Sequence, residues 1–337
     1  MSTVNWSNSA VNTWSTCNRK YFFANILSSH GWKDLLKRKT YELKKMQNLT
    51  MWRGTVVDKF LEKFLVPLIV QKKLLNFEEL AEQAVELGKA QFLFSQKKMY
   101  RDKNLVVGDA DNEYCILDVH ELNVPYTELQ LLECYEDIRL GIRNVPLTKM
   151  PDGSLLIDFL KNAKVMTPNM QKLRANIHDA SINPQIDLML YDADWQPVVI
   201  DWKLSNSYVS DYSRQLQIAG LTVKMVRDKN PDKPPFTYGD IRLFEVNLYK
   251  GEVKEHPFEE EEINDLIDYI YLTSQDIKLL NDGKKEVNID DFDYTESPAT
   301  CANCTFKTLC YYMFTHNNQY DEKTYVEFIQ NQEFSRA

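Results

Sequence analysis

The stretch of sequence that decides the fold is IDLMLYDADWQPVVIDWKLSNSYVSDYSRQ, which runs from Ile186 to Gln215. Two largely apolar runs, Ile186 to Tyr191 and Pro197 to Leu204, flank the polar residues 192–196. Apolar runs on either side of a short polar segment are typical of a β-hairpin. We therefore predict two paired strands here, around which the rest of the fold is organised.

Three ionisable residues of this hairpin form a candidate site. Asp201 and Lys203 are two apart in the second strand, so their side chains project from the same face. Asp187, on the neighbouring strand, can reach that face. Carboxylate oxygens are the ligands of Mg²⁺, which acidifies water and clamps phosphoryl oxygens, and a nearby lysine can orient that water. This chemistry suits phosphodiester hydrolysis, although Asp-x-Lys also occurs at solvated sheet edges.

The composition of the 337-residue chain narrows the class of protein. With 44% apolar residues, the chain can bury a sizeable core in one large or two small domains. A formal net charge of −9 argues against general coating of nucleic acid, but it allows basic residues to line one groove. Patterns typical of a secretory leader, a membrane helix and a phosphate-binding loop are all missing. We expect a cytoplasmic protein without a membrane segment or an NTP-driven motor.

Apolar periodicity and turn residues predict the other elements. The expected helices are residues 7–27, 52–70 (apolar up to Pro67), 77–100, 127–142, 210–226 and 258–280. A turn at residues 151–153 should lead to strands, residues 162–183 should lead into the sheet, and a second hairpin is expected over 241–247 and 252–256. Tyr212 is assigned to the buried stripe of the 210–226 helix.

Two features of the N-terminal half are candidate functional elements. Asp58 stands among apolar neighbours in its predicted helix, which favours an inward-facing role, and Gly54 allows a close approach to the first turn. The segment Lys33 to Lys45 carries six basic residues against two acidic ones, with Trp32 and Tyr41 nearby. It is either a contact for a phosphate backbone or a solvated helix face, and the sequence favours neither.

Three cysteines near the C-terminus, Cys301, Cys304 and Cys310, have the spacing C-x2-C-x5-C. Cysteines stay reduced in the cytosol, so a cluster of them indicates a metal centre rather than disulfides. A tetrahedral zinc ion or a four-iron cluster needs a fourth ligand, for which Cys17 is the natural candidate.

Other fourth ligands remain open. Cys115 and Cys134 compete with Cys17, and a local zinc knuckle could be completed by water or by His316. Joining Cys17 to Cys301 would close a loop of most of the chain, at a cost of about 5 kcal/mol. Structural metal sites bind with on the order of 10 kcal/mol or more, so a metal centre can offset this closure and staple the two ends together.

Taken together, these features resemble the PD-(D/E)XK nuclease superfamily. More narrowly, they resemble its RecB-like, iron–sulfur branch, which includes the AddB nuclease domain and the CRISPR adaptation nucleases. The resemblance runs from about residue 7 to residue 312 and is carried by Cys17, Gly54-x-x-x-Asp58, Asp187, Asp201-Trp202-Lys203, Gln215 and the C-x2-C-x5-C segment. Asp58 stands where the family often has His, Ala219 where it often has Tyr, and Asn18 where it often has Pro.

The resemblance implies a fold and a division of the chain. The fold is α/β, restriction-endonuclease-like, with a mixed central sheet flanked by helices, a helical insertion, and an iron–sulfur staple joining the N- and C-terminal regions. The nuclease domain would span residues 1–312, with a loosely matching insertion at 75–175 and a cluster-binding segment at 297–312. A helical tail would follow at 313–337.

The resemblance also implies roles for individual residues. The ligands of Mg²⁺ or Mn²⁺ would be Asp58, Asp187, Asp201 and the backbone carbonyl of Trp202. Lys203 would orient or activate the attacking water, and Gln215 would bind substrate or position the lysine. The ligands of a structural [4Fe–4S] cluster would be Cys17, Cys301, Cys304 and Cys310.

The function expected from the resemblance is that of a metal-dependent deoxyribonuclease acting on single strands or DNA ends. Its setting would be DNA recombination, repair or phage- and CRISPR-type defence, with a helicase, an integrase or another DNA-processing protein as partner. The alternative is a catalytically silent nuclease fold that binds DNA or protein, which the presence of every required carboxylate and the lysine disfavours. A third hypothesis is that the iron–sulfur cluster senses redox state, and the presence of the cluster is the only feature that supports it.

Overall fold

The computed structural model describes residues 3–29, 33–105, 107–108, 110–170, 173–206, 212–281 and 287–334. The strands are β1 Val4–Trp6, β2 Val165–Pro168, β3 Ala175–Ile177, β4 Ala180–Ile182, β5 Leu188–Tyr191, β6 Pro197–Lys203, β7 Arg242–Asn247 and β8 Glu252–His256. The α-helices are α1 Asn8–Thr16, α2 Asn18–Tyr21, α3 Leu35–Lys45, α4 Leu49–Phe60, α5 Val66–Val70, α6 Phe77–Gln96, α7 Asp118–Glu121, α8 Glu128–Asn144, α9 Leu156–Asn162, α10 Ser213–Asp228, α11 Glu260–Asn281, α12 Pro298–Ala302, α13 Lys307–Thr315 and α14 Glu322–Phe334.

The main sheet has five strands in the order β2-β5-β6-β7-β8. Strand β5 pairs antiparallel with β6, as the predicted hairpin requires, and β7 pairs antiparallel with β8, which confirms the second hairpin. Strand β6 runs parallel to β7, a pairing that needs a long crossover, and α10 supplies it. The sheet is therefore mixed and flanked by helices, with β6 at its centre. A smaller sheet pairs β1, β4 and β3.

The turn of the central hairpin is fixed by one aspartate. The Asp192 carboxylate accepts hydrogen bonds from the backbone N–H groups of Asp194 and Gln196, each at 2.9 Å. Trp195 takes a left-handed backbone conformation, with φ of 64°. These bonds set the register that pairs Leu188 with Ile200, so the position of every side chain on β6 follows from the turn.

Both faces of the main sheet are buried, each against a different group of helices. One face packs Val199 and Leu243 with residues of α10 and α11. The other packs Ile200 and Phe244 with residues of α4, α8 and α9. A strand buried on both faces is mostly apolar, so the polar residues within β6 are exceptional.

The predicted helix over residues 7–27 is wrong in one respect, because it breaks at Cys17. This residue is extended, with φ of −165°, and its Sγ accepts the backbone N–H of Lys20 at 3.4 Å. It therefore separates α1 from α2 and caps the second helix. Phe22–Leu27 continues as a wider π-helical turn.

The predicted helix over residues 52–70 begins earlier than expected and passes through Pro67. Asn48 caps α4, and its side chain accepts the N–H of Met51 at 2.8 Å. Residues Leu61–Leu65 form a π-helical turn, after which Pro67 lies in the first turn of α5, where a missing N–H is tolerated. Among the described residues, no side chain or distant backbone lies within 4 Å of the place that a Cβ at Gly54 would occupy, so the space beside this turn of the helix is open.

Three other predicted elements need smaller corrections. The turn at residues 151–153 leads first to α9 and only then to strands β2 to β4. Helix α10 begins at Ser213, and the expected start at Ser210 lies outside the described residues. Tyr212 caps that helix and is only partly buried. Within the described part of the chain, no helix is both long and apolar enough to cross a membrane.

Gly141 of α8 packs where α4 meets the end of β6, and this contact generates a prediction. A Cβ at Gly141 would lie 2.8 Å from Leu204 Cδ1 and 3.3 Å from Val57 Cγ2. We expect Gly141→Val to lower the free energy of unfolding by about 1–3 kcal/mol, because overpacking forces neighbours from their places. Gly54→Val is the matched control and should change stability by less than about 0.5 kcal/mol. Urea denaturation measures both, and equal losses would contradict this packing.

Candidate active site

The carboxylates of the central hairpin lie where β5 begins and β6 ends. Asp187 directly precedes β5, and its Oδ2 accepts the backbone N–H of Trp202 at 2.9 Å. Asp201 lies within β6, and its Oδ2 is 2.5 Å from the Nζ of Lys203. Asp201 and Lys203 therefore share a face as the sequence predicts, and Asp187 is tied to the strand between them.

Helix α4 and helix α10 bring two more predicted residues to this place. Asp58 of α4 lies within electrostatic range of Asp187, Asp201 and Lys203. Gln215, in the first turn of α10, donates from Nε2 to Asp201 Oδ1 at 2.7 Å. The five side chains that the sequence singles out for this chemistry thus come from four places in the chain and lie in one region of the fold.

Burial is the main cause that raises the pKa values of all three aspartates, and neighbouring acids add to it. Burial is the largest cause for Asp58, whose pKa lies well above its usual range, followed by the charge of Asp187. Burial and then the Asp201 charge raise the pKa of Asp187 to about 7. The pKa of Asp201 is also raised by burial, although Lys203 opposes the shift. Ionisation of these acids is therefore disfavoured, even with Lys203 beside them.

The lysine is held in its charged form by these acids. Burial lowers the pKa of Lys203, but the Asp201 carboxylate more than compensates, so the net shift is upward. Its Nζ also lies 4.1 Å from the centre of the Tyr212 ring, a cation–π contact. Tyr212 therefore helps to fix the ammonium group, a role that its assignment to a buried helical stripe missed.

An oxygen-lined cavity of about 160 Å³ adjoins two of the aspartates. Its lining residues are Asp58, Glu62, Asn169, Gln185 and Asp187. Asn169 follows β2 and is held there by its backbone N–H, which donates to the Asp187 carbonyl at 2.8 Å. Only the pairing of β2 with β5 brings Asn169 here, whereas Gln185 lies two residues before Asp187 in the chain.

A buried acid–histidine pair lies beside Asp201 on the next strands. The register places Glu245 of β7 opposite Asp201. Glu245 Oε2 is 2.9 Å from Nε2 of His256 on β8, a residue that is 4% exposed. Glu245 raises the pKa of Asp201 further and His256 lowers it, both by smaller amounts than burial and Lys203. The sequence analysis missed this pair, whose only signal is the second hairpin.

The arrangement of acids has one feature suited to a cation. Asp201 is 4% exposed, and its Oδ2 has no hydrogen-bond donor of acceptable geometry, only the ion pair with Lys203. Among the described residues, however, no three His, Cys, Asp or Glu side chains stand close enough together to enclose a metal ion. The carboxylates therefore lie near one another but do not surround a single position, as expected of acidic groups that repel one another.

The four predicted cluster cysteines line a second cavity, of about 440 Å³. These are Cys17, Cys301, Cys304 and Cys310, and their neighbours include Phe23, Phe306, Lys20 and Lys307. Burial raises the pKa of Cys310 to about 12, Arg19 opposes this, and the other three cysteines raise the pKa further. Four sulfur atoms from the two ends of the chain therefore face one largely apolar space.

The competing ligands lie elsewhere. Cys115 and Cys134 are 5% and 6% exposed and pack in the core on the α4 side of the sheet. His316 stacks on Tyr312 with ring centres 4.1 Å apart, and it is not among the residues that line the cysteine cavity.

The basic segment at residues 33–45 is partly buried, and a contact with a phosphate backbone stays a prediction for its exposed lysines, which are Lys33, Lys37, Lys44 and Lys45. It forms α3, whose Arg38 and Lys39 pair with Glu42, and Lys39 also pairs with Glu121. Arg38, Glu42 and Glu121 are buried. This part of the basic charge therefore stabilises the interior, while Trp32 lies outside the described residues.

A mixed sheet with an acidic hairpin and a lysine at its centre defines a nuclease-type fold, and the family comparison agrees. The model of the PD-(D/E)XK nuclease superfamily matches residues 5–311. The chain therefore belongs to the PD-(D/E)XK nuclease superfamily, whose members typically use divalent metals such as Mg²⁺. The comparison with curated proteins found no match.

Proposed function

We propose that this protein is a divalent-metal-dependent deoxyribonuclease that acts on single strands or DNA ends. The observation that carries the proposal is the meeting of Asp58, Asp187, Asp201 and Lys203 at the centre of the sheet. Membership of a nuclease superfamily supports it, as does the retention of every ionisable group that the hydrolysis needs.

The residue types present have the chemistry that a hard divalent cation needs, and the described side chains would have to draw closer together to enclose one. Asp58, Asp187 and Asp201 would hold it with the Trp202 carbonyl, and Asp201 Oδ2, which within the described chain pairs only with the Lys203 ammonium, could also face the cation. A cation would also favour the ionised forms of these acids, which their burial disfavours. When bound, the cation neutralises phosphate charge and lowers the pKa of a water molecule.

The protein's own groups would orient the reaction. Lys203, positioned by Asp201 and the Tyr212 ring, would place the attacking water and stabilise charge at the phosphate. Gln215 would keep the Asp201 carboxylate in one orientation through its hydrogen bond. Tight positioning of this kind is the main contribution that a protein makes to such a displacement.

The burial of the site supports a preference for single strands or ends. Asp201 is almost fully buried, and the cavity beside Asp58 and Asp187 holds only about 160 Å³. A flexible strand can enter such a site, whereas the middle of a stiff duplex must first be distorted. A role in DNA recombination, repair or defence, beside a helicase or an integrase, would follow from this substrate.

The cysteine cavity is proposed to hold a [4Fe–4S] cluster with a structural role. Four cysteine thiolates are the donor set of such a cluster. Each would bind a different iron atom, so they need not stand as close together as the ligands of one ion. The volume of about 440 Å³ and the nearby Arg19, Lys20 and Lys307 suit a bulky, negatively charged group.

Substitutions in the acidic site test the proposed activity. Asp201→Asn and Lys203→Ala should each lower cleavage of end-labelled DNA at least about 100-fold with Mg²⁺ or Mn²⁺, because each removes a group that stabilises the transition state. Asp194→Asn, an exposed change at the tip of the same hairpin, is the matched control and should leave the rate unchanged. Circular dichroism would verify the fold of each variant.

Undiminished cleavage by both variants would remove these residues from the mechanism. DNA binding by the wild-type protein without hydrolysis under any divalent metal would instead favour the catalytically silent binding protein. Oligonucleotides blocked at either end would give the polarity.

Substitution of the cysteines tests the cluster. Protein purified without oxygen should be brown and contain iron, and Cys301→Ser should lose the visible absorbance and lower the melting temperature, because the link between the chain ends is gone. Cys134→Ser, in the core, should keep the colour. A colourless, folded wild-type protein containing zinc would refute the iron assignment.

A further inference from the structure

Two amide side chains stand beside the proposed cation site and have no role in the chemistry described so far. Asn169 and Gln185 line the cavity of about 160 Å³ together with Asp58, Glu62 and Asp187. An amide carries no charge and offers two N–H donors and one carbonyl acceptor, whereas an ionised carboxylate only accepts hydrogen bonds. The cavity therefore combines acceptors of negative charge with neutral groups that can donate.

Asn169 is held in a fixed position relative to Asp187. Its backbone N–H donates to the carbonyl of Asp187 at 2.8 Å, and the N–H of Met170 donates to the carbonyl of Ile186 at 2.9 Å. The backbone of Asn169 is left-handed, with φ of 44°, a conformation that glycine adopts at least cost and that asparagine tolerates better than most residues. The chain thus keeps a side chain at the cavity where glycine would suit the backbone better.

The charge of the cavity favours a neutral donor as the group that binds a phosphodiester. The lining contains three carboxylic acids, and no lysine or arginine lines it in the described part of the chain. A strand whose reacting phosphate meets a cation held by Asp58 and Asp187 brings its neighbouring phosphate groups close to these acids. An N–H donor can bind a phosphate oxygen there, and hydrogen bonds to charged acceptors are stronger than those between neutral groups. Asn169 is placed to supply that donor.

We propose that Asn169 binds the DNA strand through a hydrogen bond from its side-chain N–H to a non-bridging oxygen of a phosphate next to the scissile one. This inference rests on the proposed nuclease function and adds a substrate-binding residue to it. Gln185, which is exposed and lines the same cavity, extends the neutral donor surface toward solvent. Because the contact is to the sugar–phosphate backbone, it positions the strand at the cation site without reading its base sequence.

Binding of a fluorescent single-stranded oligonucleotide tests the inference without requiring cleavage. Anisotropy is measured with Mg²⁺ in the Lys203→Ala background. Asn169→Gly removes the amide but suits the left-handed backbone, so this variant should fold and should bind the strand about tenfold more weakly. Asn317→Gly is the matched control, because Asn317 is exposed, has φ of 52° and lies outside the cavity, and it should leave binding unchanged. Equal melting temperatures would verify the fold of both variants.

A methylphosphonate scan identifies the phosphate that Asn169 contacts. Each linkage in turn has one non-bridging oxygen replaced by a methyl group. Binding by the protein with Asn169 should show an additional loss at one linkage, and Asn169→Gly should abolish that additional loss, since the partner is already gone. The effect should be the same for strands of different base sequence, because phosphate oxygens carry no sequence information.

The results that would overturn the inference differ from those that would overturn the proposed function. If the Lys203→Ala protein binds the strand and Asn169→Gly binds it equally well, or if no linkage couples to Asn169, the contact does not exist. A loss confined to one base sequence would indicate a base contact. An equal loss of Mn²⁺ affinity, measured by calorimetry without DNA, would make Asn169 a cation ligand instead. A wild-type protein that neither binds nor cleaves DNA would refute the proposed function, and the inference with it.

Discussion

The burial of three carboxylates in one region of the fold, which disfavours their ionised forms, is the constraint on which the rest of this structure depends. Asp58, Asp187 and Asp201 each have a raised pKa, even with Lys203 beside them. The fold nevertheless holds them together, because β6 is buried on both faces and α4 packs against it. Buried acids with raised pKa values are typical of functional sites, where a bound cation can stabilise their ionised forms. This connects the architecture to cation-dependent chemistry.

The two ends of the chain pack together through protein contacts as well as through the proposed cluster. The rings of Phe23 and Phe306 stack with centres 5.7 Å apart. The guanidinium of Arg19 lies 4.2 Å from the centre of the Tyr294 ring and donates to the carbonyl of Ile289. A cluster on the four cysteines would therefore add to an interface that already exists, which makes its role one of stabilisation.

The sequence was most informative where local pattern and tertiary structure agree. The central hairpin, the second hairpin and the shared face of Asp201 and Lys203 follow from strand alternation and turn residues. The break at Cys17 could not be predicted, because the periodicity of apolar residues continues through it and only the cap geometry ends the helix. The place of Asn169 depends on the register between β2 and β5, which no local pattern encodes. The burial of Arg38 likewise follows from its pairing with Glu42 in a folded interior.

The melting temperature as a function of pH, with and without Mg²⁺ or Mn²⁺, tests the central claim most directly. The folded pKa of Asp187, about 7, lies above its unfolded value, so the folded protein binds more protons between those values and loses stability as pH rises through 7. The metal-free protein should therefore melt higher at pH 6 than at pH 8, and the cation should stabilise it more at pH 8. Asp187→Asn should flatten both effects. A metal-free protein that is as stable at pH 8 as at pH 6, and that the cation leaves unchanged, would contradict the account.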